Sequence, residues 1–141
     1  MKISDVMTPN PQTVTPGDTL QRAAQLMDEL NVGILPVCES GRLTGVLTDR
    51  DIVVRSTSVG QDPCATRVET VMTIEPRSLR PDDSVQEALR LMEQQQLRRL
   101  PVLDARGTPV GIVSLGDLAA AGTPEAGEAL EDISTPAEPD R

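Results

Sequence analysis

The chain has 141 residues and a formal charge of −9, with no Phe, Tyr, Trp or His. That is about one domain's worth of chain, whose core must come from Leu, Val, Ile, Ala and Met, and the missing rings exclude base stacking of the kind single-strand binders use. The acidic balance argues against nucleic acid or an anionic membrane as partner, although residues 122–141 hold six carboxylates against Arg141, so the rest of the chain carries only −4.

From the N-terminus onward the chain writes one plan twice. Val6-Met7-Thr8 returns as Val71-Met72-Thr73, and Pro11, Pro16, Asp18, Gln21, Leu26, Met27, Pro36 and Val37 recur at the same offset of 65. After one extra residue in the second copy, Gly45-Val46-Leu47-Thr48-Asp49-Arg50-Asp51 returns as Gly111-Ile112-Val113-Ser114-Leu115-Gly116-Asp117. Each copy of such a duplication is one supersecondary unit that buries its apolar face against a neighbour. In each, a turn at Val-Met-Thr leads to a brief extended piece, Thr13-Val14 in the first copy. A helix is then expected from Asp18, where Asp18 and Gln21 have capping-box spacing, repeated by Asp83 and Gln86. Leu20, Ala23, Ala24, Met27 and Leu30 lie on one face of that helix, as do Val85, Ala88, Leu89 and Met92 in the second. A strand pair follows: residues 34–38 and 43–48 around a Glu39-Ser40-Gly41-Arg42 turn, then residues 100–103 and 110–114 around Asp104-Ala105-Arg106-Gly107. Proline inside the first strand of each pair, Pro36 and Pro101, predicts an edge position or a bulge. A second helix opens at Asp49 and at Leu115.

The predicted class is therefore α/β (α+β), two tandem β-α-β-β-α units arranged as a pseudo-twofold pair. The boundaries read as repeat 1 over 1–57, a polar linker over 58–67, repeat 2 over 68–121 and an acidic, disordered tail over 122–141, in which Glu125 to Ile133 could form a frayed helix. No apolar run approaches the roughly 18–20 residues of a membrane span, and the N-terminus lacks a signal-peptide core, so a cytoplasmic protein is expected. Cys38 ends an apolar run and reads as a small buried hydrophobe. Cys64 lies in the linker beside Pro63. A disulfide between them is disfavoured in a reducing compartment, and without His or a Cys-x-x-Cys pair no metal site is expected.

One constellation carries chemistry. In Gly45-x-x-Thr48-x-x-Asp51 and Gly111-x-x-Ser114-x-x-Asp117, a strand glycine would let another group approach the backbone. The hydroxyl and the free N–H groups of the following helix suit a phosphate oxygen, and a carboxylate in the first helical turn can take both hydroxyls of a ribose. The same spacing also fits a purely structural [Ser/Thr]-x-x-[Asp/Glu] helix start, and duplication copies caps as faithfully as sites.

Val-Met-Thr, the x-Leu-Pro-Val strand and Gly-x-x-[Thr/Ser]-x-x-Asp together resemble the cystathionine β-synthase (CBS) domain, and two in tandem resemble a stand-alone Bateman module spanning residues 3 to about 121. The resemblance implies adenosyl ligands in clefts between the two repeats, lobes packed through their sheets, and a homodimer. Asp51 and Asp117 would then grip ribose, and Thr48 and Ser114 would lie near phosphate. Gly45, Gly111 and Ile112 would line the clefts. The residues before Leu-Pro-Val differ between copies: Gly33-Ile34 against Arg98-Arg99. Arg98 and Arg99 would neutralise a phosphate through charge-assisted hydrogen bonds, or form a solvated pair on a strand end. The site of Asp117 is accordingly expected to be the tighter one, with Val32 and Gly33 on its adenine side. Arg50 and Arg55 would help the other cleft or simply face solvent.

Two functions compete. The first is a regulatory sensor of AMP, ADP or ATP, with S-adenosylmethionine, NAD-type molecules and cyclic dinucleotides as alternatives, acting by linkage on an unidentified protein target or on the dimer. The second is a dimeric interaction scaffold with vestigial clefts. No obligatory cofactor is implied. Catalysis is not expected, because the chain offers no His, no evident base for its thiols and no phosphate-loop glycine signature.

Overall fold

The computed structural model describes residues 1–121, so the expectations for the acidic tail lie outside the described residues. Its elements are α1 (Ile3–Val6), β1 (Thr8–Pro9), α2 (Leu20–Leu30), β2 (Ile34–Glu39), β3 (Arg42–Thr48), α3 (Asp49–Asp51), β4 (Thr73–Ile74), α4 (Val85–Gln95), β5 (Arg99–Leu103), β6 (Pro109–Ser114) and α5 (Leu115–Ala120). Beyond α3 the backbone widens into a π turn over Ile52–Ser56 and tightens into a 3-10 turn over Thr57–Val59. This is the mixed α/β class read from the sequence, and the strand pairs fall within a residue or so of the expected bounds.

The helix starts differ from the expectation by one residue. Thr19, not Asp18, caps α2: its hydroxyl accepts the Arg22 N–H at 3.1 Å. Asp18 instead accepts the Thr15 N–H at 2.8 Å and closes the turn before the cap. Ser84 and Asp83 divide the same two tasks ahead of α4, Ser84 accepting from Glu87 N–H and Asp83 from Arg80 N–H. A short β-branched or hydroxyl side chain in extended conformation reaches the N3 amide well, while the aspartate one residue earlier satisfies a turn donor. Both helices end on a left-handed residue at equivalent positions, Asn31 and Gln96.

Two compact units result, and each Val-Met-Thr segment lies in the unit of the other repeat. One unit combines Met1–Pro9 with Ser78–Asp104 and the chain from Val110; the other combines Asn10–Arg77 with Ala105–Pro109. In the first, the sheet order is β1-β6-β5, with Thr8 opposite Ile112 and Pro9 opposite Gly111. In the second the order is β2-β3-β4, with Gly45 opposite Ile74 and Val46 opposite Thr73. β2 stands at the end of its sheet's order, so Pro36 meets the edge expectation; it pairs regularly with Val46, and the register shift comes after it, between Val37 and Cys38, where Thr44 of β3 is the extra residue. On its outer side the Pro36 carbonyl accepts the Val14 N–H at 3.1 Å, and the Pro101 carbonyl accepts the Leu79 N–H at 3.0 Å. A proline there removes no ladder donor that the sheet needs.

Each unit has its own aliphatic core. Leu20, Ala23, Leu35, Val37, Leu47 and Val68 centre one; Ile3, Ala88, Met92, Leu100, Val113 and Leu118 centre the other. Of the stripe read in α2, Leu20, Ala23 and Met27 face the core, whereas Ala24 and Leu30 are exposed and Leu26, outside that stripe, is buried instead; in α4, Val85, Ala88, Leu89 and Met92 are all buried.

Candidate functional site

The two glycines of the repeated motif have a packing reason first. A Cβ on Gly45 would stand 2.7 Å from the Thr73 carbonyl oxygen and 2.9 Å from Met72 Sδ. On Gly111 it would collide with Met7 Sδ and lie 2.9 Å from Met7 Cγ. The group that approaches the bare backbone is thus the chain's own Val-Met-Thr segment, which explains why the two motifs recur together. The repeated Val-Met-Thr was read from the sequence, but its packing against the glycines was not, because Met72 meets Gly45 and Met7 meets Gly111, each glycine being covered from the other copy.

Thr48 and Asp51 form a reciprocal cap at the start of α3. Thr48 Oγ1 accepts the Asp51 N–H at 3.1 Å, and Asp51 Oδ2 accepts the Thr48 N–H at 3.0 Å. The expectation of free helix N–H groups fails here. Asp49 N–H donates to the Gly33 carbonyl at 3.0 Å, and Arg50 N–H donates to Asp49 Oδ1 at 2.9 Å, so all three amides of α3 are engaged. The second oxygen of Asp51 is also addressed, since Arg55 Nε lies 3.8 Å from Oδ1. Arg55 is no idle surface charge. Its Nη1 donates to the Val71 carbonyl at 3.0 Å and lies 3.5 Å from that of Met72, tying α3 and its π turn to the segment that roofs Gly45. Arg50 is exposed.

Ser114 and Asp117 repeat the cap at the start of α5, with Ser114 Oγ accepting the Asp117 N–H at 3.0 Å and Asp117 Oδ2 accepting the Ser114 N–H at 2.9 Å. The surroundings differ. The place of Asp49 is taken by Leu115, a buried hydrocarbon that offers the Gly116 N–H nothing. The place of Arg55 is taken by Ala121, so no side chain four residues on reaches the other Asp117 oxygen. The Leu115 N–H donates to the Arg98 carbonyl at 2.7 Å, which fixes the arginine pair beside the start of α5. Arg98 is exposed and Arg99 half-buried as the first residue of β5.

The structure therefore brings Arg98, Arg99, Gly111, Ile112, Ser114 and Asp117 into one unit, and places Val32, Gly33, Gly45, Thr48 and Asp51 in the other. Capping accounts for one oxygen of each aspartate and leaves the chemistry to the second. Cys38 and Cys64 are free thiols, one buried and one exposed. Burial pushes the Cys38 thiol up from its ordinary value, and Cys64 Sγ donates to Gln21 Oε1 at 3.2 Å. Among the described residues, no three His, Cys, Asp or Glu side chains group to hold a metal ion, and no helix is long and apolar enough to cross a membrane.

Comparison with known proteins supplies the rest. The model of the CBS domain family matches twice, over residues 3–57 and 68–123. The chain is 48% identical over 134 residues to the CBS domain-containing protein YhcV of Bacillus subtilis, covering 94% of each. It is 38% identical over 116 residues to hypoxic response protein 1 of Mycobacterium tuberculosis, covering 82% of this chain and 80% of that one. It also superposes on the crystal structure of CBSX2, a CBS-pair protein of Arabidopsis thaliana, in complex with AMP, with a TM-score of 0.75 at 30% identity over 86% of this chain and 95% of that one.

Proposed function

Because the chain belongs to the CBS domain family, with two such domains in tandem, we propose that it is a ligand-sensing regulatory module for adenine nucleotides, AMP, ADP or ATP. It works without catalysis, as a cytoplasmic homodimer that passes the state of its ligand to a protein target by linkage. S-adenosylmethionine is the next ligand of the same adenosyl class. One observation carries the reading: Asp117 spends a single oxygen on its cap and keeps the other, while the backbone of Arg98 is bonded to the start of the same helix. A carboxylate oxygen that accepts from ribose hydroxyls and a guanidinium that donates to phosphate oxygens answer the two polar halves of a nucleotide. The AMP held by CBSX2, a protein of the same fold and family, supports the choice of ligand. The thiols support the non-catalytic role, since one is buried with a raised pKa and the other contacts an amide oxygen, not a base.

The test is a set of melting curves and titrations on the purified protein. AMP or ATP at a hundredfold excess over its dissociation constant stabilises the fold by about 2.7 kcal/mol. Asp117→Asn keeps an oxygen for the Ser114 N–H and weakens adenosine and AMP together. Arg99→Ala weakens AMP but spares adenosine, by the roughly 1.5–3 kcal/mol of a charge-assisted hydrogen bond. If AMP, ATP and S-adenosylmethionine all leave the melting temperature unchanged, the sensor fails and a dimeric scaffold with vestigial sites stands in its place.

A further inference from the structure

The two copies of the motif share a cap but not its surroundings, and the differences at Asp49 and Arg55 point the same way, although Arg50 stands where the second copy has Gly116. Around Asp51 the protein answers its own polar groups. The carboxylate of Asp49 takes the Arg50 N–H at 2.9 Å, which both uses the last open amide of α3 and places a negative charge where an anionic ligand would approach. Arg55 lies 3.8 Å from Asp51 Oδ1 and is itself held by the Val71 carbonyl at 3.0 Å, so its guanidinium is kept on the Asp51 side of the strand segment. Asp51 retains only 14% side-chain exposure in this arrangement. Around Asp117 the equivalent positions are Leu115 and Ala121, which carry neither a carboxylate nor a guanidinium, and the strand entry brings two arginines in place of Gly33-Ile34.

We infer that Asp49 and Arg55 are specificity-determining residues that close the Asp51 site from within, so that each chain takes up one nucleotide, at Asp117. This deepens the function proposed above and rests on it. The physical reason is competition. A ribose hydroxyl reaching Asp51 Oδ1 must displace a cation already anchored to a backbone carbonyl, and a phosphate alongside it meets the Asp49 carboxylate with no arginine at residues 33–34 to offset it. At Asp117 no guanidinium four residues on competes with the incoming hydroxyl, because that position is Ala121.

The experiment is calorimetric titration of the full chain with AMP, with ATP and S-adenosylmethionine as further probes. The wild-type protein is expected to bind one AMP per chain, with affinity reduced at least tenfold by Asp117→Asn and unchanged within twofold by Asp51→Asn. The pair Asp49→Ala and Arg55→Ala is expected to add a second site. Because Arg55→Ala also removes bonds to Val71 and Met72, a reciprocal variant keeps the test independent of folding in that unit: Ala121→Arg installs the competing guanidinium four residues after Asp117 and is expected to weaken AMP at least tenfold. Two equivalent AMP molecules per wild-type chain, with equal losses for the two aspartate variants, overturn the inference and leave the sensor intact. An Ala121→Arg chain that binds AMP as the wild type does also overturns it. No uptake of any probe by any of these proteins overturns the sensor and the site inequality together.

Discussion

At Cys38 the local packing decides the chemistry. The thiol sits on β2 beside the register shift, with 8% of its surface exposed, and burial raises its pKa because the thiolate loses hydration. A raised value in the folded chain means that stability is fully present below the unfolded thiol's pKa, about 8.5, and is lost as pH rises through the folded value. Urea unfolding followed from pH 7 upward is expected to show that decline, and Cys38→Ala is expected to shrink it; an equal decline in the variant would refute the assignment. Cys64, exposed in the linker, should be modified first by a thiol reagent. The burial of Cys38 could be read from the apolar run before it. The capping residues could not be read so well. Asp18 and Thr19 are both good caps by type, and the choice between them depends on which side chain reaches the N3 amide once the preceding turn has formed. The chemistry of Arg55 was equally hidden, because its partners Val71 and Met72 lie 16 and 17 residues away in sequence.

Between elements, the decisive contact is the one between a glycine strand and a Val-Met-Thr segment. β3 presents Gly45 to Met72 and Thr73; β6 presents Gly111 to Met7 and Thr8. Adding a methyl at either position forces the neighbour aside, but the neighbours differ. At Gly45 the nearest atom is a backbone carbonyl oxygen at 2.7 Å, whereas at Gly111 it is the flexible end of Met7, with the Thr8 carbonyl at 3.1 Å. Overpacking costs about 1–3 kcal/mol. Gly45→Ala is therefore expected at the upper end of that range and Gly111→Ala at the lower, read from denaturant midpoints at constant m-value. Equal or reversed losses would show that the strand segments give way as easily as the methionine. The glycines were legible as places of close approach. What approaches them was not, because a ligand and a neighbouring segment demand the same missing side chain.

For the whole molecule, the grouping of Met1–Pro9 with the second repeat and of Val71–Ile74 with the first is the organising fact. Ile3 has no exposed surface and belongs to the core that includes Ala88, Met92 and Leu118. Deleting residues 1–9 is expected to unfold or loosen the unit of the second repeat while sparing the first. Hydrogen exchange should show protection lost over 78–104 and 110–121 and kept over 20–48. Ile3→Ala, a milder change, should cost about 2–5 kcal/mol. Protection lost mainly over 20–48 would contradict this grouping. By itself the sequence determined the class of fold, most of the two helical faces, the strand pairs and the recurrence of Val-Met-Thr and Gly-x-x-[Thr/Ser]-x-x-Asp, because hydrophobic period and turn chemistry act over a few residues. Only the tertiary structure decided which copy of Val-Met-Thr covers which glycine, and which aspartate keeps an oxygen in reserve. Duplicated segments offer nearly the same local contacts in either pairing, so the choice falls to the closure of the chain and to positions where the copies differ, such as Asp49 against Leu115 and Arg55 against Ala121.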